Sequence, residues 1–79
     1  MSKVVSANII RGNPSYGTRD EVQLIDEYGG ITSNIPVGTA VSANVVGDRV
    51  VIVKQECGQV IQEVWDANSV TQISVTRLS

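Results

Sequence analysis

Val41-Ser42-Ala43-Asn44-Val45-Val46-Gly47-Asp48-Arg49-Val50-Val51-Ile52-Val53 consists of two runs rich in β-branched residues joined by Gly47-Asp48. A two-residue connection of this type tolerates positive φ and matches the twist of paired strands, so the stretch predicts an antiparallel hairpin. Nowhere in the chain do apolar residues recur at three and four over the ten or so positions that a globular helix needs. The fold class is therefore all β.

Outward from that hairpin, turn signals divide the chain into about seven strands. They run from Lys3 to Arg11, Asp20 to Glu27, Ile31 to Ile35, Ala40 to Val46, Arg49 to Gln55, Gln59 to Asp66 and Val70 to Arg77. Tyr28-Gly29-Gly30, Glu56-Cys57-Gly58 and Asp66-Ala67-Asn68-Ser69 supply turns. Pro36, Gly38 and Thr39 are expected to separate the third strand from the fourth, with the proline at a strand end or edge because it cannot donate to a ladder. Arg11 to Arg19 is expected to be an irregular loop, and scaffolded loops often carry binding residues.

The hairpin's first strand also has an echo upstream. Val5-Ser6-Ala7-Asn8-Ile9-Ile10 recurs as Val41-Ser42-Ala43-Asn44-Val45-Val46, and Val22, Leu24, Ile25 and Gly30 then fall opposite Val50, Ile52, Val53 and Gly58. Ile35 and Val64 match with one residue of slippage. The pattern is a duplicated three-stranded meander followed by a seventh strand. Each meander alone is too small to bury its own face, so the halves must pack together as a small antiparallel barrel or sandwich.

The chain of 79 residues forms one domain with one small core. A core of this size usually needs extra support. With Cys57 the sole cysteine and no histidine, an internal disulfide and a zinc site are both excluded. Self-association is the remaining device. It is also favoured by strands apolar on both faces, where Val50 and Ile52 point opposite to Val51 and Val53.

Six Lys and Arg against eight Asp and Glu, with no run of either sign, argue against a nucleic-acid binder. Met1 to Ser6 carry no apolar stretch long enough for a leader or membrane span. The expected location is cytoplasmic, or a phage or virion component assembled from the cytoplasm.

Chemistry is sparse. Asp20-Glu21 and Asp26-Glu27 are adjacent on strands, so each pair points to opposite faces, and they read as solvated strand-end charges rather than an acid–base dyad. Without histidine the usual nucleophilic triads are unavailable, and Cys57 beside Glu56 reads as a turn residue. The glycine turns feed no helix that could cradle a phosphate. No catalytic residue, cofactor or metal is expected. Trp65 supplies the largest apolar area per residue in a chain with two tyrosines and no phenylalanine. It reads as core or subunit-interface packing, or alternatively as a stacking surface for a sugar or peptide beside Asp66 and Asn68. Tyr16 and Arg19 in the first loop complete the candidate binding set.

Gly47-Asp48-Arg49-Val50-Val51-Ile52-Val53, Gly58-Gln59-Val60 and Val70 to Val75 resemble the cadence of SH3-like barrels and KOW modules, which implies a small barrel. Val51-Ile52-Val53 through Gly58 to Glu63-Val64-Trp65-Asp66 is similar to one blade of the fucose-binding propeller lectins. Val51 stands where such a blade carries an arginine, and Glu63 meets the acidic position only loosely, so no sugar-binding residue is carried over. The sequence thus points to a non-enzymatic protein-interaction or assembly module. A lectin-like ligand binder, or an enzyme with its site at an oligomer axis, are the alternatives.

Overall fold

The computed structural model describes residues 3–79; Met1 and Ser2, the start of the stretch read as carrying no leader, lie outside the described residues. Among the described residues the fold is all β, with one 3-10 turn, Pro14–Tyr16, in the first loop. Its strands are β1 (Val4–Ile10), β2 (Asp20–Asp26), β3 (Ile31–Val46), β4 (Arg49–Glu56), β5 (Gln59–Asp66) and β6 (Gln72–Arg77), paired antiparallel in chain order within one sheet that does not close into a barrel.

Six strands form where about seven were expected, because Pro36, Gly38 and Thr39 do not end a strand. They lie inside the 16-residue β3. Pro36 stands opposite Glu21 and Gly38 opposite Asp20, so the shift in register between those pairs absorbs the proline, and Gly38 takes φ +85 to turn the strand. The first part of β3 pairs with β2 and the part after the turn pairs with β4. One strand therefore belongs to two ladders. The last strand begins at Gln72 rather than Val70, whose φ of 55 places it in the turn.

The turn in β3 brings the two ladders onto a common core. Val4, Val22, Leu24, Ile35 and Val37 from one side pack with Ala40, Val50, Ile52 and Ala67 from the other, flanked by Ala7, Ile9, Ala43, Val45, Trp65 and Val70. Val51 and Val53 point to the opposite face and stay half-buried, between Asn44 and Val64 and between Ser42 and Gln62 respectively. The Val4 N–H donates to Ala67 O and ties the start of β1 to the end of β5, and the Ala67 N–H donates to Asp48 O in the β3–β4 turn, neither extending a ladder.

The two halves also correspond in geometry. Val5 and Val41 are each skipped in the pairing, and Ser6, Ala7, Asn8 and Ile9 meet Ile25, Leu24, Gln23 and Val22 as Ser42, Ala43, Asn44 and Val45 meet Val53, Ile52, Val51 and Val50. Val22 and Leu24 are fully buried, as are Val50 and Ile52. Ile35 stands opposite Val22 and Trp65 opposite Val50, so by register Ile35 corresponds to Trp65 and the slippage expected with Val64 is not needed.

Candidate functional site

The sequence candidates fall at two ends of the molecule. Tyr16 ends the 3-10 turn in the first loop and is 82% exposed. Asn13 caps that turn by accepting from the Ser15 N–H, and Arg19 leads back into β2. Trp65 and Asp66 close β5 beside Arg49, while the first loop adjoins the far end of β4, at Gln55 to Cys57. The length of β4, roughly 20 Å at about 3.3 Å per residue, separates the two groups. Tyr16 and Arg19 therefore do not share a site with Trp65, Asp66 and Asn68.

At the loop end, a cleft of about 610 Å³ lies between the loop, the turn in β3 and the β4–β5 turn, with Arg19, Thr18, Thr39, Glu56 and Cys57 among its lining. Its floor is built on Asp20. This carboxylate is not the solvated strand-end charge expected from its neighbour Glu21, for it is 9% exposed and fully engaged. Oδ2 accepts from Ala40 N at 2.9 Å and from Arg11 Nη1 at 2.9 Å, and Oδ1 accepts from Gly12 N at 2.7 Å. Arg11 also donates to Ala40 O at 2.7 Å. At Ala40, whose N–H and C=O find side chains here, the Arg11–Asp20 pair stands in for a neighbouring strand. The Ala40 and Gly12 N–H groups, with Arg11 behind them, hold the Asp20 carboxyl below its ordinary range, outweighing its burial. Gly12 is required by the same geometry, since a Cβ there would overlap the Arg19 backbone.

At the other end, Trp65 is half-buried and its indole N–H donates to Glu63 Oε1 at 3.0 Å. Glu63 Oε2 meets Lys54 Nζ at 2.7 Å, and both side chains are largely buried. Lys54 is raised above its ordinary value, first by the hydrogen bond to Glu63 and against the cost of its own burial. Asp66 Oδ1 accepts from the Asn68 and Ser69 N–H groups at 2.8 and 3.0 Å, which makes it the cap of the β5–β6 turn and holds its carboxyl low. Asn68 is exposed in that turn. Trp65 and Asp66 are thus already committed to internal bonds.

Four of the acidic side chains are taken up in internal contacts. Asp20 and Asp66 are held as carboxylates by backbone donors and Asp48 by Lys3 at 2.8 Å, while Glu63 is spent on Lys54 and Trp65. The feature that sequence reading did not place is the edge at the last strand. Every residue of β6 is exposed, and among the described residues no strand pairs with its side away from β5. No local residue pattern in Gln72 to Arg77 distinguishes an edge strand from an inner one. No family model, curated protein or solved structure matches the chain.

Proposed function

We propose that this chain is a non-enzymatic assembly module that works by associating with copies of itself through exposed sheet surface. The observation that carries the reading is the β6 edge, with Ile73, Val75 and Leu78 each about half or more exposed next to an unpaired backbone row. Natural sheets normally cover, charge or twist such an edge. The half-buried Val51 and Val53 on the outer sheet face support the same reading, since among the described residues no second layer lies over them.

The finer architecture belongs to the same proposal. The chain derives from a duplicated three-stranded meander curled toward a small barrel. The support is the matched pairing around Val5 and Val41 and the matched burial of Val22 with Val50 and Leu24 with Ile52. A cytoplasmic site of synthesis, with assembly from there, suits a chain with a single exposed thiol. Among the described residues no helix is long and apolar enough to cross a membrane.

Light scattering across a dilution series tests the reading. A mass above that of one chain at high concentration, falling on dilution, is the expected result; a constant monomer mass removes the proposal. The ligand-binding alternative narrows to the cleft beside Arg19, because Trp65 stands at the far end with its indole N–H already bonded.

A further inference from the structure

The sheet's edges are protected unequally, and the difference identifies a partner. The free side of β1 is tied down at its start by the Val4 bond to Ala67, and its pairing skips Val5. The side of β3 at Ala40 is occupied by the Asp20 and Arg11 side chains, and Pro36 removes a donor further up the strand. Among the described residues nothing covers the outer side of β6 in this way. The strand contains no proline and a single charge, Arg77, near its end. Its pairing with β5 skips Ile73, which leaves Ser74 to Arg77 in regular register and a straight outer row of backbone groups.

We infer, resting on the assembly reading above, that β6 pairs antiparallel with β6 of a second copy about a two-fold axis at Val75. A two-fold perpendicular to the sheet keeps each residue on its own face, so residue pairs across it must be of the same parity. With the axis at Val75 that residue meets the partner's Val75 and Ser74 meets the partner's Thr76, while Arg77 lies at the partner's bulge at Ile73. The regular segment is then used in full, valine faces valine, and hydroxyl faces hydroxyl. These are favourable cross-strand pairs, and no like charges oppose each other. The two ladders that begin at the second part of β3 join into one continuous sheet across the axis. A contact of this length belongs to the small, dissociable class of interfaces.

Three measurements on the full chain separate this contact from other modes of assembly. In light scattering, Val75→Lys and Thr76→Lys are expected to weaken dimerisation by roughly tenfold or more, because like charges then oppose each other or crowd the axis. Val46→Lys, at a residue 64% exposed in the β3–β4 hairpin, is expected to leave the mass unchanged. Circular dichroism on each variant confirms that the sheet is intact. In a Cys57→Ser background, Val75→Cys is expected to cross-link to a dimer with a short bismaleimide while Val46→Cys is not. A native oligomer insensitive to Val75→Lys, or masses running beyond the dimer, overturns the β6 contact and leaves self-assembly standing. A native chain that is monomeric at every concentration overturns both.

Discussion

Asp20 shows how much a single side chain does in a fold this small. Its two oxygens take two backbone donors and a guanidinium, from residues eight, nine and twenty positions away, and together they fasten the first loop to the turn in β3. A carboxyl held below its ordinary value of 3.8 favours the folded state fully above that value, and the contribution is lost as pH falls through the lower folded value. Asp48 and Asp66 are shifted the same way, by Lys3 and by the turn N–H groups respectively. Unfolding followed by circular dichroism is therefore expected to show stability declining steeply below about pH 4. Asp20→Asn is expected to be less stable at neutral pH and to lose less on acidification, since Asn has one acceptor oxygen and no charge to titrate. An unchanged acid limb in Asp20→Asn would mean that Asp20 is not among the groups responsible. None of this was legible from the Asp20-Glu21 dipeptide. Sequence alternation sends neighbours to opposite faces, but it does not say that the inward one will find Ala40, which only the turn in β3 delivers.

At the scale of the element, β3 is where sequence and structure part. The Gly47-Asp48 hairpin was legible because its signal is local, two residues between two apolar alternations, and it forms as read with Val46 opposite Arg49. Pro36 and Gly38 carry an equally local signal, and taken alone it says that the strand ends. The strand continues because what each residue removes is not needed there. Proline's missing donor falls beside a register shift, and glycine's positive φ bends the strand without interrupting its pairing on either side. Open space surrounds the position a Cβ would take at Gly38, so substitution there meets no steric obstacle and isolates the backbone cost. Gly38→Ala is expected to destabilise the fold by about 1–2 kcal/mol, the usual penalty for an L-residue at positive φ. Gly38→Asn, which tolerates that region, is expected to cost less. Equal losses for the two variants in urea titration would show that Gly38 serves some purpose other than its φ.

For the whole molecule, the turn in β3 brings two small meanders onto one core. Neither half has a core of its own: Val22, Leu24 and Ile35 are buried against Val50, Ile52 and Ala40, and the cluster is continuous across the turn. The likeness of Val5–Ile10 to Val41–Val46 made the need for such packing legible in advance, because a three-stranded sheet alone cannot bury its face. What it could not supply was the open sheet, since closure depends on how β1 meets the end of β5, and that junction rests on backbone bonds at Val4 and Ala67 and on the Lys3–Asp48 ion pair, contacts between residues far apart in sequence. A shared core has a consequence that two independent halves would not. Leu24 on β2 and Ile52 on β4 occupy corresponding, fully buried positions, one in each half. Truncating either to alanine is expected to cost about 2–5 kcal/mol, a large part of the total stability of a domain this size. The sole tryptophan, Trp65, reports from the half that contains Ile52. Leu24→Ala, made in the other half, is expected to move the urea midpoint of Trp65 emission about as far as Ile52→Ala does, and the emission and far-ultraviolet dichroism transitions are expected to coincide in both variants. A Leu24→Ala protein whose Trp65 transition stays at the native midpoint while its dichroism changes would mean that the meanders unfold separately, and the single core would have to be given up.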